Sequence, residues 1–192
     1  MVRITLILFF FIISCVASVQ AQELYLNRDV SVLKVSGTST LHDWTVNATH
    51  YTVVTTFKDL SDVTTLKDLQ VTVVSNGLKS GKKGMEKSMY RALQSSLFPT
   101  INFQLQEVTS VSKNGDNHYT LECNGYLTTA GVKKPVSLSL QIETDTNGIW
   151  LSGEKPLKMT DYGIKPPKAL LGVVKAGNEV EVSFKVRMEK QR

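Results

Sequence analysis

Cysteine is almost missing from this chain: two in 192 residues, Cys15 and Cys123. Cys15 lies in an apolar N-terminal stretch. If that stretch is removed, Cys123 stands alone and no internal disulfide can form. Small exported domains often use disulfides where the core is inadequate, so this one has to be stable through its core. Histidine is equally sparse. His42, His50 and His118 show no ligand spacing, and no cysteine or carboxylate cluster joins them, which argues against a metal site. Aromatic residues make up 8% of the chain and do not interleave with the lysines, which argues against a nucleic-acid surface. There is no G-x-S-x-G elbow for a serine nucleophile. No apolar run is long enough to cross a bilayer. No low-complexity segment, repeat or composition shift divides the chain, so one domain is expected.

The N-terminus reads as an export signal. Met1-Val2-Arg3 gives a short positive start. Ile4 to Ile13 is apolar apart from Thr5, and Val19-Gln20-Ala21 supplies a cleavage site. Cleavage there leaves residues 22–192 as the mature domain. A second reading of the same stretch stays open. Ile12-Ile13-Ser14-Cys15 is like a bacterial lipobox, in which Cys15 would be lipidated. Both readings place the protein outside the cytoplasm, periplasmic or secreted in the first case and membrane-anchored in the second.

What fills the rest is alternation. Apolar residues on every second position mark strands with one buried face. Tyr25 to Val35, Trp44 to Phe57, Leu66 to Ser75, Ile101 to Val108, His118 to Leu127, Val136 to Ile142, Ile149 to Gly153 and Val180 to Met188 give about eight. Leu66 to Ser75 is apolar on both faces and is expected to be covered on both. Asn114 to Asn117, Thr128 to Gly131 and Thr144 to Gly148 read as turns. Met159 to Val174, with Pro166-Pro167, reads as irregular.

One segment breaks the pattern. The segment Gly84 to Ser96 is patterned as a helix: Met85, Met89, Ala92 and Leu93, and then Leu97 just beyond it, recur at helical spacing until Pro99 stops the run. The expectation is an all-β fold: an eight-stranded antiparallel barrel with one inserted α-helix. A barrel of that size either fills its interior with side chains or holds one small apolar ligand.

His42 beside Asp43 suggests a general base, but neighbours on a strand point to opposite faces and form no dyad there. The structural reading is a bend over Gly37 to Trp44, with Asp43 bonding local amides and Trp44 packing. Cys123, in a strand pattern, reads as a small buried hydrophobe. The net charge of +5 is dispersed over Lys79, Lys82, Lys83 and Lys87 and over Lys165, Lys168 and Lys175. Those groups form either a solvated surface or a basic rim for an anionic head group or lipid surface.

Several segments resemble one family. Ser36–Trp44 (SGTSTLHDW) is similar to the G-T-S-x-x-H-D-W element of YceI-like proteins. Leu78–Gly81 with Met85–Leu93 resembles their inserted helix, and Phe98–Phe103 (FPTINF) their Y-P-x-I-x-F strand. Gly125–Pro135 (GYLTTAGVKKP) resembles their G-x-L-T-x-x-G-x-x-K-P-V hairpin, and Met159–Gly163 also fits. The elements come in family order over nearly all the mature chain. The resemblance implies an extended, lipocalin-like barrel that is exported and holds a long isoprenoid or fatty-chain lipid. Departures are visible: where many members carry an Arg-Asp pair and a His on the helix, this chain has Glu86, Lys87 and Met89 or Tyr90. The segment Lys165 to Gly172 reads as a variant branch.

The functional expectation is a lipid carrier without catalysis or cofactor, whose partner is an amphiphilic lipid and, through the basic rim, a membrane surface. The alternative is an interaction module with a filled barrel. An oily tail gains about 0.8 kcal/mol per methylene taken from water, so an aliphatic tunnel needs no precise polar geometry. The expected ligand-facing residues are Trp44, Phe57, Met85, Met89, Leu93, Phe103, Tyr126, Leu138, Trp150 and Leu170, each equally readable as core. Tyr162 would orient a polar head group, with lysines near Lys82 or Lys168 pairing with a diphosphate.

Overall fold

A computed structural model describes residues 24–59, 62–169 and 172–190. The N-terminal stretch with Cys15 lies outside the described residues, as does Leu170. The elements are β1 (Leu24–Ser39), β2 (Trp44–Ala48), β3 (Tyr51–Phe57), β4 (Leu66–Val74), β5 (Leu78–Lys79), α1 (Lys83–Ala92), β6 (Thr100–Lys113), β7 (His118–Thr129), β8 (Val132–Asp145), β9 (Gly148–Lys158), β10 (Lys168–Ala169) and β11 (Val174–Lys190). All pairings are antiparallel. The sheet runs β3-β4-β6-β7-β8-β9-β11-β1-β2-β5, with β10 beside β11.

The strand count differs slightly from eight, for a local reason. Eight strands have seven residues or more, and the additions are β2, β5 and β10. The run expected as one strand, Trp44 to Phe57, is bent at Thr49-His50. Its first half, β2, pairs with β1, and its second half, β3, pairs with β4. Two bonds carry the ladder round the bend: Thr49 N–H donates to the Gly77 carbonyl (2.8 Å) and Val74 N–H to the His50 carbonyl (2.9 Å). The bent strand thus brings the curled sheet back to its start. Below the bend, β1 and β3 face each other, and the Arg28 guanidinium lies 5.6 Å over the Tyr51 ring.

Other differences also have physical causes. In β1 the register slips between Asn27 and Val32, so Val30 and Val32 face outward and are half exposed. Val74 is exposed too, so β4 is covered on one face only. Helix α1 stops at Ala92, short of the expected Ser96. Gln94 adopts a left-handed φ of 51°, which ends the helical ladder before proline does, and Leu97 is 69% exposed instead of packed. The β7–β8 hairpin is a two-residue turn, Ala130-Gly131, both at positive φ (48° and 77°), which matches the right-handed twist of its strands.

Half of the barrel is solid. Near the β6–β7 and β8–β9 hairpins, Leu121, Leu140 and Met188 have no exposed surface, and Ile142, Ile149 and Cys123 pack with them. Burial pushes the Cys123 thiol up to about 11, so it is a neutral apolar side chain, as its strand position suggested. Asp145 ties this end together. Its carboxylate accepts two bonds from the Arg187 guanidinium (2.7 and 2.8 Å) and two from the amides of Asn147 and Gly148 (2.8 and 3.0 Å).

The bidentate Arg187 contact holds the Asp145 carboxyl down from 3.8 to about 2. A carboxylate depressed in the folded state adds stability that is present above its unfolded value and lost as pH falls through its folded value. The carboxylate is 45% exposed, so solvent screening reduces the contribution to roughly 1 kcal/mol. Asp145→Asn should therefore melt below the parent protein at pH 6. Thermal melts at descending pH should show that gap closing between about pH 4 and pH 2.

Candidate functional site

The other half of the barrel is hollow. Inward residues of the strands enclose a cavity of about 430 Å³, within the size range of small-molecule sites. Its wall is aliphatic: Leu33 and Val35 from β1, Val71 and Val73 from β4, Leu127 from β7, Val136 from β8, and Val180 and Val182 from β11 are typical. Leu151 and Val186, both fully buried, form the floor against the solid half. The cavity reaches solvent where exposed His42, Lys82 and Lys168 line it. No Asp or Glu lines it among the described residues.

Helix α1 covers one side of the mouth. Met85, Ser88, Met89, Ala92 and Leu93 face the cavity, while no residue of the helix is buried. Its half-buried apolar residues rest on the edge of the core, and polar contacts fasten it. The amides of Ser80 and Gly81 donate to Glu86 Oε1 (2.9 and 3.0 Å), and the Tyr90 hydroxyl donates to the Leu78 carbonyl (2.7 Å). Those amide bonds, the Ser80 contact first, hold the Glu86 carboxyl below its usual value. Lys79 Nζ donates to the Tyr90 hydroxyl (2.9 Å) and lies 3.9 Å from Glu86.

Seven of the expected ligand-facing residues are in the cavity wall: Trp44, Met85, Met89, Leu93, Phe103, Leu138 and Tyr162. Three are elsewhere. Phe57 has the right strand phase but sits in the solid half, 2% exposed. Tyr126 and Trp150 have the wrong phase: Leu127 and Leu151 beside them point in, so these two rings point out. Lys133 lies 4.3 Å over Tyr126, and Lys185 4.9 Å over Trp150. Tyr162 is buried beside Ala130 and Ile164, and burial raises its phenol, which keeps it a neutral donor.

The wall also contains residues that the sequence reading passed over. Val180 and Val182 are in phase with Phe184 and Val186, and were visible as strand alternation without being named as ligand-facing. Lys155 is in phase with Leu151 and Leu157. It was missed because the strand starting at Ile149 was expected to end at Gly153, whereas β9 runs on to Lys158.

Residues 25–188 match the family model of the YceI-like domain. The chain belongs to the YceI-like family. No curated protein matches it. Among solved structures, BcnA of Burkholderia cenocepacia is similar at 15% identity, with a TM-score of 0.66 over 82% of this chain and 95% of that one. A polyisoprenoid-binding domain from Saccharophagus degradans, described as implicated in plant cell wall breakdown, is similar at 13% identity and TM-score 0.64, over 90% of this chain and 100% of that one. The YceI protein of Campylobacter jejuni is similar at 17% identity and TM-score 0.60, over 77% and 84%.

The first YceI-like motif now has a physical account. Gly37 stands opposite Trp44 in the β1–β2 ladder, and a Cβ on Gly37 would collide with the indole. The missing side chain lets the ring lie flat along β1 and enter the cavity wall, with Nε1 donating to the Thr38 carbonyl (2.9 Å). Ser39 Oγ, not Asp43 as expected, holds the bend: it accepts from the amides of Leu41 and His42 (3.2 and 3.1 Å). His42 Nδ1 lies 2.6 Å from the Asp43 carbonyl. On the helix, Glu86 and Tyr90 fasten the backbone and Met89 faces the cavity.

Gly37→Val should displace the indole and cost about 1–3 kcal/mol through overpacking. Chemical denaturation would show a lower midpoint with an unchanged slope, together with a loss of near-ultraviolet dichroism from Trp44.

Proposed function

We propose that this YceI-like protein is an exported lipid-binding carrier that holds one long isoprenoid or fatty chain in the hollow half of its barrel and acts by binding, without catalysis. The observation that carries this reading is the cavity itself: an aliphatic, one-ended space next to a solid core, with flexible methionines on its cover. Methionine adapts to irregular apolar shapes, and each methylene removed from water contributes about 0.8 kcal/mol. The similarity to a polyisoprenoid-binding domain supports a lipid as the ligand. The alternative, an interaction module with a filled barrel, fits only the lower half of the interior. A binding role is also favoured by the lining, which among the described residues has no carboxylate to pair with His42 as acid and base.

Loading from a membrane surface is part of this reading. Leu41 and Val173 are 68% and 74% exposed beside the mouth. Thr40 joins their loops through its N–H to the Lys175 carbonyl (2.9 Å) and its hydroxyl to the Val173 carbonyl (3.1 Å). With Lys82, Lys168 and Lys175 nearby, this edge would meet anionic lipid. Export and the state of the N-terminus, a cleaved signal or a lipid on Cys15, belong to the same proposal.

Denaturing mass spectrometry of protein recovered without detergent from an exporting host should release a lipid and give the mass of the mature chain. Protein that is consistently empty, and that takes up no added lipid, would end the carrier reading. The two tryptophans give a solution test. Trp44 lines the cavity and Trp150 does not, so a hydrocarbon ligand should change the fluorescence of Trp150→Phe and leave that of Trp44→Phe nearly unchanged.

A further inference from the structure

One wall residue does not suit a plain hydrocarbon. Along β9 the inward positions run Ile149, Leu151, Gly153, Lys155, Leu157, and Lys155 stands opposite Val182 of β11. Its side chain lines the cavity and is half-buried. Taking an ammonium partly out of water is costly unless a partner of opposite charge is supplied. Among the described residues no hydrogen bond or ion pair engages the Lys155 ammonium. The other charged groups in the lining are Lys82, Lys158 and Lys168, all cations, with His42 at the same end. An apolar cavity with four lysines and no carboxylate has a strongly one-signed end.

We propose that the molecule held in the cavity is an anionic amphiphile, a hydrocarbon with a single carboxylate or phosphate head, and that Lys155 is the principal contact of that head, with Lys82 and Lys168 closing over it from the rim. This rests on the carrier reading and narrows it to a ligand class. Lys155 points into the barrel, so its role differs from that of the rim lysines facing a membrane. The head lies toward the mouth and the tail toward Leu151. A long chain then enters tail first, and the last group to lose its water is the one that finds a charge partner.

The test uses the delipidated full-length mature protein, hexadecanoic acid, hexadecyl phosphate and hexadecanol, with Trp44 fluorescence as the readout. At least one anion should bind about tenfold or more tightly than the alcohol, and that advantage should shrink as salt is raised. The preferred anion tells carboxylate from phosphate. Lys155→Met should bring the anions to within about twofold of the alcohol, and Lys155→Arg should keep the advantage. Equal binding of all three ligands by the parent protein would overturn the proposal, as would an undiminished anion advantage in Lys155→Met, which is what a lysine merely stretching toward water would give. If Lys155→Met loses the alcohol as well, Lys155→Arg decides: anion advantage kept supports the assignment, and advantage lost overturns it. Failure of all three ligands to bind the parent protein would instead sink the carrier reading beneath it.

Discussion

A ring of about eight antiparallel strands has an interior of nearly fixed width, and every second side chain of every strand must occupy it. In the lower half of this protein that demand is met by size. Leucine, isoleucine and methionine from facing strands reach one another and leave nothing open. In the upper half, many of the inward residues are valines, too short to meet in the middle. Longer side chains line it as well, among them Trp44, Phe103, Phe184, Tyr162 and the methionines of α1. The hollow therefore comes from the choice of short β-branched side chains on a scaffold whose circumference is set by hydrogen bonding. The same choice suits strand geometry, because valine packs well on a pleated surface.

The polar structure is arranged around this division. At the solid end, Asp145 and Arg187 link β8 to β11 across β9. At the open end, Ser39 holds the bend before Trp44, and Glu86 and Tyr90 hold the helix. These groups satisfy backbone amides and carbonyls that the curled sheet leaves over where strands bend or stop. Little of the polar inventory is left to face the cavity, and the charged groups that remain there are lysines. That asymmetry is sharper than the dispersed charge of the whole chain suggested.

Much of this was legible in the order of residues. Alternation gave the strands because a sheet with one wet face forces it, and the turns at Asn114-Gly115 and Ala130-Gly131 announced themselves through residues that tolerate positive φ or tight bends. The methionine spacing located the helix. What escaped reading depended on non-local geometry. The bend at Thr49-His50 keeps the alternation unbroken while changing the pairing partner, so no local pattern marks it. Tyr126 and Trp150 were assigned inward because they are large and aromatic, but strand phase outranks residue type: Leu127 and Leu151 next to them own the interior. Phe57 had the right phase, and only the packing along the barrel axis shows that its level is filled. Lys155 was hidden by a strand end placed too early. The family resemblance, carried by short motifs spread along the chain, was firmer than any single site assignment, because motifs such as Gly37 facing Trp44 encode close backbone contacts.

The manner in which α1 is held has one more outcome. Its footing on Glu86 and Tyr90 is polar, and its apolar stripe packs on the edge of the core while also bordering the cavity, so part of its hydrophobic contact is open to whatever sits below it. By linkage, a molecule that binds the folded protein and touches this stripe adds its binding free energy to the stability of the helix. Occupancy and local rigidity would thereby become one variable, sensed at the solvent-facing residues Lys87 and Arg91.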